Sequence, residues 1–180
     1  MNTLFVDTHD FIHIALFNKD NLINEEYIYN LKDNSTILLD TIIKVIDNNK
    51  VDNILVVNGP GSFTGVRLGV VFSKTYAYTK GIPIRVISYL ELMKLMTNSE
   101  TVAFKDNKGY YISDSNNNNL YLSNKEYELY KENTKVTEDF TFNYKLLINY
   151  IDTTTPINPH EVNPLYIKKI DALKWLIKLV

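Results

Sequence analysis

A glycine-rich segment is the part of this sequence with the clearest capacity for chemistry. Residues 58–69 read Asn-Gly-Pro-Gly-Ser-Phe-Thr-Gly-Val-Arg-Leu-Gly. A turn of this kind at the start of a helix leaves backbone amides free to hold a phosphate. The spacing matches neither the P-loop nor the G-x-G-x-x-G motif. The alternative is an ordinary tight turn in which Ser62 caps the helix, and the residues alone leave both interpretations open.

The elements around this segment indicate a strand, a turn and a helix. Residues Ile54–Val57 form a short apolar run rich in β-branched side chains, which is typical of a strand buried on both faces. The pattern Phe63–Lys80 contains no proline, and Gly81 followed by Pro83 predicts where the helix ends. We expect Gly59 or Gly61 to supply a positive φ in the turn.

A row of small residues recurs every four positions along that helix. Gly65, Gly69, Ser73 and Ala77 therefore share one face that carries almost no side-chain bulk. Two glycines inside a helix cost about 1 kcal/mol each relative to alanine, and in return another backbone can approach closely. This close approach is either internal, onto the chain's own sheet, or external, onto a helix of a partner.

The same segment carries a resemblance to a known family. Residues 58–69, then Lys80-Gly-Ile-Pro and Ser88-Tyr-Leu-Glu, resemble the TsaB (YeaZ) family of the ASKHA (actin, sugar kinase and Hsp70-like) superfamily. The resemblance extends from Leu4 to about Met96. Asn163–Lys168 is also similar to the family's closing Pro-Leu-Tyr-Leu-Arg motif, with Lys168 in place of arginine.

The resemblance implies a function as a non-catalytic, obligatory subunit. In the family, the chain pairs with a catalytic paralogue, TsaD, and a TsaE ATPase to install threonylcarbamoyl on the tRNA adenosine beside the anticodon. It implies that ATP or ADP and a metal belong to the partner, that tRNA is reached only through the complex, and that this chain has no cofactor of its own. The isolated chain could also form a homodimer.

The order of elements predicts an α/β fold of the ASKHA type. Residues 1–98 read as a complete β-β-β-α-β-α-β-α half, with strands at Leu4–Thr8, Phe11–Phe17 and Asn24–Tyr29 before the first helix. Residues 99–180 read as a reduced second lobe. Within it, the run Tyr144–Tyr150 is ambiguous between helix and strand.

The first helix, capped by Asp33–Ser35, repeats apolar residues in two adjacent rows. We expect one row to face the sheet and the other to be exposed, and an exposed apolar row marks association. Together with the small-residue helix this gives a predicted partner interface. Its residues are Leu38, Ile42, Val45, Gly65, Val66, Gly69, Ser73 and Ala77.

A second set of residues lies in turns where the superfamily contacts phosphate. These nucleotide-facing candidates are Asp7, Thr8, Gly59, Gly61 and Ser62. A small nucleotide-dependent enzyme of the sugar-kinase type, using Asp7 and the glycine turn around a Mg-nucleotide, is the alternative function. For Asp7 the competing interpretation is an Asx turn, in which the carboxylate binds its own backbone.

Composition excludes several classes of protein. With a net charge of −2, the 180-residue chain lacks the basic character typical of a protein that binds nucleic acid by itself. It has no cysteine, so disulfides and thiolate metal sites are excluded. The three histidines do not predict a metal cluster. We find no signal-peptide pattern and no apolar stretch of about 18 residues, and we expect a cytoplasmic protein with no membrane contact.

Overall fold

The computed structural model of the chain describes residues 1–19, 21–29 and 34–168. Eight strands and five α-helices lie within these ranges. The strands are β1 Thr3–Asp7, β2 Ile12–Phe17, β3 Leu22–Ile28, β4 Asn53–Val57, β5 Ile84–Ile87, β6 Val102–Asp106, β7 Gly109–Ser113 and β8 Asn119–Ser123. The helices are α1 Asn34–Ile46, α2 Phe63–Lys80, α3 Tyr89–Thr97, α4 Asn124–Asn133 and α5 Tyr144–Thr153, with a short 3₁₀ turn at Pro159–Glu161.

A five-stranded mixed sheet forms the centre of the molecule, in the order β3-β2-β1-β4-β5. Strand β1 pairs antiparallel with β2 and parallel with β4, and β4 pairs parallel with β5. Strands β1, β2 and β4 are buried along their whole length. Such strands need apolar layers on both faces, and the sheet has them.

Two apolar clusters cover the two faces of this sheet. On one face, Leu4, Val6 and Ile54 pack with residues of α1 and α2. On the other face, Phe5 and Leu55 pack with residues of α3 and α5. The alternation of side chains along a strand assigns successive residues to opposite faces. Helices α1 and α2 therefore lie together on one side of the sheet.

The second part of the chain builds a smaller three-stranded antiparallel sheet, β6-β7-β8. Helix α4 packs on it through Tyr127, which is fully buried and stacks on Tyr110 at 3.7 Å between ring centroids. The rings of Tyr111 and Tyr121 meet edge to face at 4.8 Å. The tyrosines of this lobe are thus used in packing.

The predicted element order β-β-β-α-β-α-β-α is confirmed for the first part of the chain. Helix α2 begins and ends where its residues predicted: Ser62 accepts a hydrogen bond from the Gly65 amide, and Gly81 ends the helix at φ 63°. The ambiguous run from Tyr144 is helix α5. The predicted cap at Asp33 lies outside the described residues, and the side chains of Asn34 and Ser35 do as well.

The chain returns to the first sheet after building the second one. Leu147 and Ile151 of α5 pack on its face, Ile157 forms a bridge with Ile84 at its edge, and Val162 joins the core under α1 and α2. The division at residue 98 remains a prediction from the sequence. Within the described residues, no helix combines the length and apolar character needed to cross a bilayer.

Candidate functional site: the glycine turn and the helix pair

The glycine turn joins β4 to α2 and packs against the connection between β1 and β2. The Ser62 amide donates a hydrogen bond to the His9 carbonyl at 2.5 Å. A Cβ on Gly61 would lie 2.4 Å from that carbonyl oxygen, so only glycine fits there. Gly59 supplies the expected positive φ, at 107°. One amide that could have held a phosphate is therefore used inside the chain.

The closing segment of the described chain fastens the other side of this turn. The Leu165 amide donates to the Asn58 carbonyl at 2.7 Å. Arg67 donates through Nε to the Tyr166 hydroxyl at 2.7 Å, and its guanidinium lies 3.6 Å from the centroid of the Phe63 ring. The segment 163–168, which resembles the family's closing motif, thus contacts the glycine-rich segment 58–69.

A cavity of about 480 Å³ opens beside the turn, and its lining includes Gly61, Ser62, Asp10, Asp106 and Lys168. The Lys168 ammonium bonds Asp106 at 3.0 Å. Partial burial opposes ionisation of Asp106, but hydrogen bonds from Lys168 and the Asn107 amide outweigh it and lower its pKa. Of the described residues that line the cavity, the one lysine is therefore already paired, which disfavours phosphate binding.

Asp7 and Thr8 do not line this cavity. The Oδ1 atom of Asp7 accepts from the His9 amide at 3.0 Å and lies 2.8 Å from Nδ1 of His9. This is the Asx turn considered as the alternative. Thr8 donates through its hydroxyl to the Gly65 carbonyl at 2.7 Å. Of the five nucleotide-facing candidates, Gly61 and Ser62 line this cavity, whereas Asp7, Thr8 and Gly59 do not.

The small-residue face of α2 packs inside the chain. A Cβ on Gly65 would lie 2.2 Å from the Thr8 carbonyl oxygen, and one on Gly69 would lie 2.3 Å from Thr8 Oγ1. Ser73 and Ala77 are also buried. We call Gly65, Gly69, Ser73 and Ala77 the inner stripe.

The α2 residues that the sequence predicted for the partner interface lie on the buried side of the helix. Val66 is buried with the inner stripe, so none of these five side chains is available to another protein in the monomer. The small residues of α2 allow a close approach to the turn that follows β1 in the same chain.

Helix α1 shows the two expected rows, but their roles are the reverse of the predicted ones. Leu38, Ile42 and Val45 are buried in the core, so they are not interface residues of the monomer. Leu39 and Ile43, one position further along, are 51% and 62% exposed. The helical period of 3.6 residues predicts two separate rows of apolar side chains, but it does not determine which row faces the sheet.

Exposed apolar side chains also occupy α2 opposite its inner stripe. Val71 is 58% exposed and Tyr78 is 64% exposed. We call Leu39, Ile43, Val71 and Tyr78 the outer residues. Val71 and Tyr78 were not predicted from the sequence, because the small residues of α2 indicated the opposite face of the helix as the contact surface.

Two histidines lie buried near the ends of β1 and β2. His13 Nε2 lies 2.9 Å from Glu25 Oε1 and 3.2 Å from the Tyr144 hydroxyl. Burial lowers the pKa of His13, although Asp7 and Glu25 act in the opposite direction. In the described part of the chain, no group of three or more His, Cys, Asp or Glu residues could hold a metal ion.

Comparisons with known proteins agree on one family. The model of the family TsaD, tRNA N6-adenosine threonylcarbamoyltransferase, matches residues 33–156. The tRNA threonylcarbamoyladenosine biosynthesis protein TsaB of Bacillus subtilis (strain 168) is 34% identical over 99 residues, which cover 52% of this chain. The match spans only 43% of that relative's length.

Solved structures show the same fold. An uncharacterized Pseudomonas aeruginosa protein with similarity to the peptidase YeaZ superposes with a TM-score of 0.72 at 15% identity, over 93% of this chain and 99% of the other. YeaZ from Pseudomonas aeruginosa superposes with a TM-score of 0.70 at 16% identity, over 92% and 100%. Given the family match over most of its length, the chain belongs to the family of TsaD-type threonylcarbamoyltransferase domains, and within it to the TsaB (YeaZ) type.

Proposed function

We propose that this chain is a non-catalytic, obligatory subunit of the complex that installs threonylcarbamoyl on the tRNA adenosine beside the anticodon. The observation that carries the proposal is the family match over residues 33–156. The Bacillus relative, named for threonylcarbamoyladenosine biosynthesis, supports the same pathway. The partners are a TsaD-like catalytic paralogue and a TsaE-like ATPase, tRNA is reached only through the complex, and the location is the cytoplasm.

The chemistry of the described residues supports a role without catalysis. Transfer of a carbamoyl group needs an acid–base group or a metal that activates the donor. His9 and His13 are buried and engaged with Asp7 and Glu25. The described cavity beside the glycine turn presents Lys168 only as an ion pair with Asp106. We therefore assign ATP or ADP and the metal to the catalytic partner.

The outer residues support a pairing through α1 and α2. Monomeric proteins rarely leave neighbouring large apolar side chains exposed unless they serve association. Both helices lie on one side of the sheet, so their exposed faces belong to one side of the molecule. A paralogue with the same fold would present the same two helices, which favours a helix-to-helix interface. In the absence of the paralogue, two copies of this chain could pair in the same way.

Modified adenosine formed on tRNA tests the proposal. Product should form when this chain, the catalytic paralogue and the ATPase are mixed, and should fall to background when this chain is omitted. The chain alone should form no product and hydrolyse no ATP. Turnover by the purified chain alone, lost in Asp7→Asn, would contradict the proposal and favour the sugar-kinase alternative.

A further inference from the structure

A second cavity, of about 280 Å³, has Asp7 in its lining and shares none of the residues that line the cavity beside the glycine turn. Aromatic rings from three parts of the chain make up most of its wall. They are Phe11, Tyr27 and Tyr29 from β2, β3 and their surroundings, Tyr89 from the start of α3, and Phe140 and Phe142 before α5. Its volume is below the ~300 Å³ at which drug-sized pockets begin, so its ligand is small.

The rings around the cavity hold one another in place. Tyr27 stacks on the imidazole of His13 at 3.8 Å between centroids, and Phe11 lies 5.4 Å from Tyr29. Phe140 lies 6.0 Å from Tyr89 across the junction between the two parts of the chain. Tyr29 is 63% exposed and marks the rim, so the cavity is open to solvent there. The wall is pre-formed and accessible.

The charged groups that line this cavity are all acidic. Asp7 lies in the wall although it is only 1% exposed. Both hydrogen-bond contacts of the Asp7 carboxylate within the described residues are made by Oδ1, with the amide and with Nδ1 of His9, and Oδ2 accepts none there. Glu138 and Asp139 also line the cavity, and Glu138 is bonded to Lys131, which lies outside the lining.

Neither lysine nor arginine stands among the described lining residues, and the pKa values of His13, Tyr27 and Tyr89 there are shifted in the direction that favours the neutral form. Burial lowers the pKa of His13, which favours the uncharged imidazole. Burial together with nearby carboxylates raises the pKa of Tyr27 and of Tyr89, so both phenols keep their protons. The cavity is thus an aromatic enclosure with a net negative charge.

We propose that this cavity binds a small organic cation of the alkylated ammonium class. The electron-rich faces of aromatic rings attract such a cation and also pack on its alkyl groups. The Oδ2 atom of Asp7 faces no hydrogen-bond donor of the described residues and can supply the balancing charge, since a buried carboxylate whose hydrogen bonds are incomplete gains from a nearby cation. Anionic ligands are repelled by the same carboxylates, and among the described residues no group of three or more His, Cys, Asp or Glu could hold a metal ion.

Isothermal titration of the chain with choline and with its uncharged isostere 3,3-dimethylbutan-1-ol tests the proposal. The two probes have the same shape and differ in charge, so any preference reports the cation. Choline should bind and the alcohol should not. Tyr29→Leu should weaken choline binding about fivefold, the effect of one cation–π contact. Asp7→Asn should weaken it at least about tenfold by removing the buried charge.

Tyr78→Leu is the matched control, because Tyr78 is 64% exposed on α2 and does not line the cavity. It should leave choline binding unchanged. Equal binding of choline and the alcohol, or no binding of choline by the wild-type chain, would overturn the proposal. If Asp7→Asn unfolds, the Tyr29→Leu and Tyr78→Leu pair decides: equal affinities for choline in these two variants would overturn it too. Each of these outcomes is independent of whether the chain supports tRNA modification.

Discussion

The two faces of helix α2 present opposite chemistry. Its inner stripe carries almost no side-chain bulk and lies against Thr8, with the Gly65 carbonyl accepting the Thr8 hydroxyl at 2.7 Å. Its opposite face exposes Val71 and Tyr78. Small residues on a helix therefore indicate where a backbone comes close, and here that backbone belongs to the same chain. The face of α2 that is exposed to solvent is the one that looks less distinctive in the sequence.

A substitution in the inner stripe should have the largest effect on stability. Gly65→Val would place its Cβ 2.2 Å from the Thr8 carbonyl oxygen, which is backbone and cannot move aside cheaply. We expect a loss of about 3 kcal/mol or more in the free energy of unfolding, measured by urea denaturation. Thr64→Val is the control, because it puts the same side chain on the exposed neighbouring position and should cost less than about 0.5 kcal/mol.

A charge among the outer residues should leave stability alone and weaken partner binding. Val71→Asp should reduce affinity for the catalytic paralogue by about 2 kcal/mol, or about 30-fold, because the aspartate must be desolvated at an apolar contact. Sedimentation velocity with the purified paralogue measures it. Asn149→Asp, at an exposed position of α5, should bind normally. Unchanged affinity in Val71→Asp would remove this face of α2 from the interface.

The contact between Thr8 and Gly69 should appear as a coupling between two substitutions. Gly69→Ala places a Cβ 2.3 Å from Thr8 Oγ1, a side-chain atom that Thr8→Ala removes. Each single variant should lose about 1 kcal/mol or more, from overpacking in one and a lost hydrogen bond in the other. The double variant should lose about 1 kcal/mol less than the sum. Strict additivity would mean that the two residues do not meet.

The buried His13 should make stability depend on pH, with a smaller effect. Burial lowers its pKa in the folded state, so the unfolded chain binds a proton more readily as pH falls below the ordinary value of about 6.5. Stability should therefore fall between about pH 7 and the lower folded-state pKa. His13→Phe keeps a ring beside Tyr27 and should show a shallower dependence in that interval. Urea denaturation at several pH values in that interval measures this dependence. The same slope of unfolding free energy against pH in both proteins would contradict the role assigned to His13.

Local signals were sufficient to predict much of the fold. Ser62 and Gly81 set both ends of α2 through hydrogen bonds to residues within a few positions. The apolar run Ile54–Val57 identified the central strand β4. In each case the residues that determine the element are neighbours in sequence, so the local sequence pattern is sufficient to predict it.

The orientation of the site could not be predicted, because it depends on contacts distant in sequence. Packing on the sheet determines which row of α1 faces inward. The burial of the inner stripe depends on its contact with Thr8, which lies 57 residues before Gly65. The bond between Arg67 and Tyr166 joins residues 99 positions apart. Periodicity separates the faces of a helix, but only the folded chain assigns each face to the core or to solvent.

The contrast between the inner stripe and the outer residues is tested most directly by measuring tRNA modification with one variant of each set. The compensated Thr8→Ala/Gly69→Ala chain changes only the inner stripe and its contact, and Ile43→Asp changes only an outer residue. At equal concentrations with the paralogue and the ATPase, the first should form as much modified adenosine as the wild-type chain. Ile43→Asp should form little, although its unfolding free energy is unchanged. Full product with Ile43→Asp, or its loss in a compensated chain that folds normally, would contradict the account.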